Sequence, residues 1–208
     1  MQKIAVLDYG MGNIHSVTKA LQKISTKNEI FISRDIKKIK LADKLIIPGV
    51  GAIKDCMNSI LNLGLDDLIK RFSEEKPILG ICIGMQLLLQ ESEENKGVKC
   101  LGLIDGKLSS LKPKNSIKVP HMGWNTVHQT FDHHIFKGID QGSYFYFVHS
   151  YAALKSKNQS SLTEHGDTFV SSVYKNNIFA VQFHPEKSHR QGLKIYRNFL
   201  SWQGGIDR

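Results

Sequence analysis

Short apolar runs alternate with helix-like segments through the first half of this chain of 208 residues. The runs are too short for helices and end at polar or glycine-containing turns; they lie at 4–7, 44–47 and 77–83. Between them, residues 16–24 and 52–75 carry apolar side chains at helical spacing, and Gly64 is expected to divide the longer segment into two helices. Buried strands that alternate with helices are typical of a parallel sheet covered on both faces. The first half therefore predicts an α/β fold.

The second half has a different pattern, with strand-like alternation from Leu101 to about Val181. Asn176 and Asn177 separate two of these strands and predict a hairpin turn. An amphipathic helix at about 192–202 follows. No linker, repeat or low-complexity tract interrupts the sequence, so we expect a single domain over residues 1–208. In this domain an antiparallel β region would be added to a mostly parallel central sheet flanked by helices.

Composition argues against several function classes. The 28 Lys and Arg residues exceed the 19 Asp and Glu residues, for a net charge of +9, but the lysines are dispersed and accompany no nucleic-acid-binding motif. No apolar run approaches the roughly 18–20 residues of a membrane span, and the N-terminus shows no signal-peptide pattern. Three widely spaced cysteines favour free thiols in a reducing cytoplasm. We expect a cytoplasmic protein with no metal, no cofactor, and no nucleic-acid or membrane partner.

The segment Gly80-Ile81-Cys82-Ile83-Gly84 lies where an apolar run meets the start of a helix. This pattern is that of a nucleophile elbow with Cys in place of Ser. Flanking glycines permit a sharp strand-to-helix turn, and the helix N-terminus favours a thiolate. A buried structural cysteine in a glycine-containing strand end would give the same pattern, so the segment alone leaves both interpretations open.

A cysteine nucleophile needs a base, and the base needs a group that orients it. His184 and Glu186 are two residues apart, so in an extended segment they would project to the same side, with Pro185 restricting the backbone between them. His184 is the candidate general base and acid, and Glu186 is the candidate orienting carboxylate.

The third requirement of acyl transfer is a donor for the oxyanion. Pro48-Gly49-Val50-Gly51 follows a predicted strand and precedes a predicted helix, so its backbone N–H groups can face the nucleophile. Alone this is a weak signal, because many loops contain two glycines. Together with the cysteine and the His–Glu pair it completes the groups needed for acyl transfer from an amide.

These segments resemble the class I, or triad-type, glutamine amidotransferases, which hydrolyse the side-chain amide of glutamine to glutamate and ammonia. The motifs that carry the resemblance are G-I-C-I-G-M-Q and H-P-E. The resemblance implies a flavodoxin-like fold with Cys82 as nucleophile, His184 as base and acid, and Glu186 as orienting group. It also implies an oxyanion strand at Gly49, Val50 and Gly51 that reorients when a partner's ligand binds.

Further segments are similar to one branch of that family, the glutaminase subunits of imidazole glycerol phosphate synthases. They lie at 7–17, 119–125, 146–151 and 187–188, and H-M-G-W-N within the second is the most discriminating. The similarity implies a lyase complex in histidine biosynthesis with a hydrolase half-reaction in this chain. A paralogous subunit that supplies ammonia for surface-sugar synthesis stays open, and a γ-glutamyl hydrolase or cysteine peptidase stays open as a weaker alternative.

The same resemblance implies the substrate and the partner. L-Glutamine would be bound by Gln86, Ser150 and Tyr151. The partner would be a cyclase subunit with a (β/α)₈ barrel, forming a heterodimer through which ammonia passes. The residues expected at the docking face are Asn13, His121, Met122, Gly123, Trp124, Asn125, Tyr146 and Lys187.

Overall fold

The computed structural model describes residues 1–113 and 117–205. Within them the strands, in chain order, are β1 Lys3–Leu7, β2 Glu29–Ser33, β3 Lys44–Ile47, β4 Ile78–Ile81, β5 Glu91–Ser92, β6 Val98–Lys99, β7 Lys107–Ser110, β8 His121–Gln129, β9 Ser143–His149, β10 Tyr151–Ala153, β11 Gln159–His165, β12 Asp167–Lys175 and β13 Ile178–Val181. The α-helices are α1 Ile14–Ile24, α2 Ile36–Lys40, α3 Ile53–Asn62, α4 Leu65–Glu75, α5 Ile83–Leu88 and α6 His189–Ser201. Short 3₁₀ turns lie at Glu94–Lys96, His134–Phe136 and Pro185–Lys187.

One large mixed sheet organises the molecule, in the order β2-β1-β3-β4-β13-β12-β11-β8-β9. The first five strands of this order pair in parallel, and the rest pair antiparallel. The expected α/β fold with a parallel sheet is confirmed. The expected antiparallel region is also present, and it continues the central sheet because β13 pairs with β4. A smaller sheet, in the order β10-β7-β5-β6, lies beside it.

Four of the five parallel strands are buried, as is typical of a parallel sheet with helices on both faces. The side chains of β1, β3, β4 and β13 are almost completely buried. Gly64 separates α3 from α4 with a backbone φ of +64°, as the sequence predicts. The hairpin at Asn176 and Asn177 between β12 and β13 is confirmed as well. Among the described residues, no helix is long and apolar enough to cross a membrane.

Helix α5 begins at Ile83, directly after Cys82, at the strand-to-helix turn that the sequence predicts. Helix α6 begins at His189 although the pattern places its start near Gly192. A Cβ at Gly192 would lie 1.8 Å from the Pro185 carbonyl oxygen, so this glycine lets the first turns of α6 pack directly on the preceding 3₁₀ turn. Periodicity of apolar side chains carries no signal for such a contact.

Candidate active site

Cys82 occupies a strained turn between β4 and α5. Its backbone angles are φ +53° and ψ −110°, outside the regions that a residue with a side chain ordinarily adopts. The turn is held because Cys82 N–H donates to the Val181 carbonyl (2.8 Å) and the Cys82 carbonyl accepts from Gln86 N–H (3.1 Å). A Cβ at Gly84 would lie 1.8 Å from the Ile47 carbonyl oxygen, and one at Gly80 2.9 Å from that of Gly84. Both glycines of the motif are therefore required for close backbone packing.

Beside the cysteine lies a cavity of about 350 Å³. Many of the predicted site residues line this cavity: Val50, Gly51, Cys82, Gln86, Ser150, Tyr151 and His184. The Cys82 side chain lies at its base and is 3% exposed. A larger groove of about 870 Å³ runs along β5, β6 and β7 and contains none of the predicted site residues. The smaller cavity is therefore the candidate active site.

His184, which lines the cavity, forms a buried pair with Glu186. His184 Nδ1 lies 2.8 Å from Glu186 Oε1, and both side chains are 1% exposed. The expectation that they share one side of an extended segment is wrong, because Pro185–Lys187 is a 3₁₀ turn. The turn still brings the two side chains together, and the Tyr196 hydroxyl donates to Glu186 Oε2 (3.4 Å). The carboxylate therefore fixes the imidazole with its proton on Nδ1.

The remaining ring nitrogen of His184 is free to exchange a proton. Nε2 is buried and makes no hydrogen bond with any described residue. Burial alone would lower the pKa of the imidazole, but the Cys82 thiolate and the Glu186 carboxylate outweigh burial and raise the pKa above its ordinary value. The raised pKa favours an imidazolium at His184, which is the partner that a cysteine nucleophile needs.

The loop after β3 contributes Val50 and Gly51 to the cavity wall, and Gly51 has a φ of +102°. Gly49, the third predicted oxyanion residue, does not line the cavity. A Cβ there would lie 2.6 Å from the Tyr9 hydroxyl and 2.7 Å from Ile83 Cβ, so Gly49 lets the loop pack against the elbow. Val50 and Gly51 therefore lie at the cavity, where an oxyanion donor is needed, while Gly49 packs against the elbow and Tyr9.

Gln86, on α5, hydrogen-bonds with a second predicted substrate residue and with a further buried amide. Its Nε2 donates to the Tyr151 carbonyl (3.1 Å) and to Gln182 Oε1 (3.0 Å). Gln182 is completely buried, and its Nε2 donates to Cys82 Sγ (3.7 Å). Sequence reasoning did not single out Gln182. Its position two residues before His184 and directly after an apolar strand is the signal that could have found it.

The expected docking residues include an exposed aromatic cluster. Met122 is 63% exposed and Trp124 is 46% exposed, both on β8. The Trp124 ring stacks on His189 with centroids 5.1 Å apart and lies edge-on to Tyr146 at 6.1 Å. Lys187 Nζ lies 5.5 Å from the centre of the Tyr146 ring. A Trp, a Tyr and a cation left at a surface have the composition of a protein-binding site.

His121 departs from its expected place at the docking face. Its side chain is 3% exposed, stacks on Phe147, and makes a 2.9 Å hydrogen bond with His149. Alternation along β8 turns Met122 and Trp124 outward and therefore turns His121 inward. Gly123 and Asn125 are half-buried on β8, and Asn13 is half-buried at the start of α1.

The chain resembles known proteins over almost its whole length. The family model described as "Glutamine amidotransferase class-I" matches residues 5–202. The chain belongs to the class I glutamine amidotransferases. This class I amidotransferase is 46% identical over 207 residues to the imidazole glycerol phosphate synthase subunit HisH of Nitrosococcus oceani, covering 98% of this chain and 99% of the relative. It is also 46% identical over 211 residues to the subunit of that name from Pseudomonas putida, with the same coverage.

Solved structures share the fold of this class I amidotransferase at lower identity. A crystal structure of a glutamine amidotransferase superposes with a TM-score of 0.72 at 18% identity, covering 95% of this chain and 96% of the other. The structure of PurLQS from Thermotoga maritima also gives a TM-score of 0.72 at 18% identity, covering 96% and 98%. In the part of the chain that the structure describes, no three His, Cys, Asp or Glu side chains converge as metal ligands.

Proposed function

We propose that this amidotransferase is the glutaminase subunit of an imidazole glycerol phosphate synthase. It would hydrolyse L-glutamine to glutamate and ammonia and deliver the ammonia to a cyclase subunit. The observation that carries the chemistry is the strained Cys82 at a helix N-terminus, in one cavity with a His184 ring held by Glu186. The full-length relatives that are 46% identical and named as subunits of that synthase support the choice of acceptor.

Acylation starts from the thiolate–imidazolium pair. Cys82 Sγ attacks the carbon of the glutamine carboxamide, a C–S bond forms, and the former carbonyl oxygen becomes an oxyanion. Val50 and Gly51 line the cavity, and their backbone N–H groups are the proposed donors for that oxyanion. The imidazolium of His184 gives its Nε2 proton to the departing nitrogen. The C–N bond breaks, ammonia leaves, and a γ-glutamyl thioester remains on the sulfur.

Deacylation reverses the direction of proton transfer. His184 is now neutral with a free Nε2 and takes a proton from water, which attacks the thioester carbon. The C–S bond breaks, glutamate leaves, and the thiolate–imidazolium pair is restored. The Glu186 side chain orients the ring through its contact with Nδ1 and stabilises the imidazolium. The two half-reactions use only protein groups and water, so the cycle closes without a redox step.

The partner in this proposal is a cyclase subunit with a (β/α)₈ barrel that docks on the exposed face of Met122 and Trp124. Ammonia would react there with a phosphoribosyl-formimino nucleotide to give imidazole glycerol phosphate and a carboxamide ribotide. The reaction belongs to histidine biosynthesis, and we expect the complex to act in the cytoplasm. No nucleic acid or membrane takes part.

Reconstitution tests the acceptor. The purified chain is mixed with a histidine-pathway cyclase subunit and its nucleotide ligand, and glutamate release and imidazole glycerol phosphate are both measured. We expect both products to form in a fixed ratio. Glutamate release that does not respond to the cyclase would favour a paralogous acceptor, and turnover of γ-glutamyl peptides by the chain alone would favour a hydrolase. Either of these two results contradicts the proposal.

A further inference from the structure

A buried amide side chain contacts the reactive sulfur. Gln182 follows β13, is completely buried, and is anchored by its backbone N–H on the Ser171 carbonyl (2.9 Å). Its side-chain Nε2 lies 3.7 Å from Cys82 Sγ. The reaction steps described above involve Cys82, His184 and Glu186 and do not use this contact.

The direction of the Gln182 amide is fixed by its neighbours. A carbonyl oxygen accepts hydrogen bonds and cannot donate, so the contact with the Tyr151 carbonyl (3.1 Å) identifies Nε2 of Gln86 as a donor. The same Nε2 lies 3.0 Å from Gln182 Oε1, which accepts its second hydrogen. The other end of the Gln182 amide is therefore the NH₂ group, and it points at the sulfur.

The Tyr151 carbonyl is itself held by a chain of two histidines. His149 Nδ1 donates to it (2.9 Å), so the neutral His149 ring accepts at Nε2 from His121 Nδ1 (2.9 Å). His121 Nε2 accepts in turn from Asn125 Nδ2 (3.2 Å). Burial lowers the pKa of His149 to about 4 and that of His121 to about 3, so both rings stay neutral near pH 7 and keep these directions.

We propose that Gln182 is a further catalytic residue, whose side-chain NH₂ donates a hydrogen bond to Cys82 Sγ and stabilises the thiolate. As a thiol, the sulfur has the Val148 carbonyl as its acceptor, at a long 3.9 Å. On ionisation the sulfur gives up this long hydrogen bond, and its contact with the Gln182 NH₂ becomes a stronger, charge-assisted hydrogen bond, because a thiolate is an acceptor only. Ionisation of Cys82 is thus favoured from one side by His184 and from the other by a neutral amide.

Alkylation of the full-length chain by iodoacetamide measures this effect without a partner. The rate at Cys82 is followed by peptide mass spectrometry between pH 5 and 10 for the wild type, Gln182→Met and Gln182→Asn. Met keeps the size of the side chain without a donor, and Asn keeps the amide but is too short to reach the sulfur. We expect the pH of half-maximal rate to rise by about 0.5 to 1 unit in both variants, which slows alkylation about three- to tenfold at pH values well below that of half-maximal rate.

Thr163→Val is the matched control. Thr163 is 1% exposed and donates to the Thr126 carbonyl (2.8 Å), so the change removes one buried hydrogen bond away from the cysteine. It should lower thermal stability and leave the pH–rate curve of Cys82 in place. If Gln182→Met does not fold, Gln182→Asn carries the comparison. A pH of half-maximal rate equal to that of the wild type in a folded Gln182 variant overturns the proposal.

The inference rests on Cys82 being the nucleophile, and the two can fail separately. Wild-type Cys82 that is alkylated no faster than the buried Cys56 and Cys100 contradicts the proposed function and this inference together. Fast alkylation of wild-type Cys82 that is unchanged in both Gln182 variants contradicts the role of Gln182 alone.

Discussion

A single methyl group at Gly84 should disable the site by displacing the elbow. The ideal Cβ would lie 1.8 Å from the Ile47 carbonyl oxygen and 2.8 Å from its carbonyl carbon. Contact between such atoms normally starts near 3.4 Å, so strand β3 or the start of α5 must move by more than about 1 Å. Both are central elements of the core, and overpacking of this kind costs about 1–3 kcal/mol.

We expect this displacement in Gly84→Ala to have two measurable effects, one on thermal stability and one on activity. For a chain of this size each kcal/mol lowers Tm by about 2–4 °C, so we expect a fall of about 2 to 12 °C in a thermal melt. A shift of about 1 Å in a catalytic group costs roughly 100-fold in rate, so glutamine hydrolysis by the complex should fall by about that factor.

Gly64→Ala is the control for a change at glycine. Gly64 has a φ of +64° and open space around its ideal Cβ, so alanine there strains the backbone by about 1 kcal/mol without contact at the elbow. It should lower Tm by a few degrees and leave glutamine hydrolysis unchanged. Wild-type Tm and wild-type activity in Gly84→Ala would refute the close-packing argument.

Three further predictions concern the rest of the site. Glu186→Gln should lower kcat about 10²–10⁴-fold with little change in KM for glutamine, because the His184 ring loses its orienting charge; steady-state kinetics of the complex check this, and an unchanged kcat contradicts it. His149 has a pKa of about 4 in the folded chain, below the ordinary 6.5. On acidification the unfolded chain therefore binds a proton at this position before the folded chain does. The free energy of unfolding should fall by about 3 kcal/mol as the pH falls from 6.5 towards 4. Denaturant unfolding at several pH values should show a smaller acid loss in His149→Gln, and an equal loss refutes the assignment. Trp124→Ala should weaken cyclase binding about 30-fold in calorimetry with Tm preserved, because the ring is 46% exposed; unchanged affinity places the docking face elsewhere.

The parallel half of the fold follows from the sequence because its strands are buried on both faces. Their short apolar runs and the glycines around Cys82 indicate both the strand order along the chain and the elbow. The antiparallel half is also predicted, by the alternation of apolar and polar residues along the sequence. That alternation does not indicate that these strands continue the parallel sheet. The parallel pairing of β13 with β4 joins residues about 100 positions apart, and local pattern holds no information on such a contact.

The candidate site was only partly predictable for the same reason. His184 and Glu186 are close in sequence, so their pairing is local, although a 3₁₀ turn rather than an extended strand brings it about. The donor role of Gln182 depends on Gln86 and on the Tyr151 carbonyl, which come from distant elements. The inward position of His121 depends on which face of β8 meets the core. These features require the tertiary structure.

The central claim is that Cys82 is the nucleophile of glutamine hydrolysis. The most direct test compares wild-type and Cys82→Ala chains, each combined with the cyclase subunit, using either glutamine or added ammonium as nitrogen source. We predict that Cys82→Ala abolishes glutamate release and glutamine-dependent synthesis, while ammonium-dependent synthesis continues at the wild-type rate. Glutamate release by Cys82→Ala at a rate close to that of the wild type would contradict the assignment.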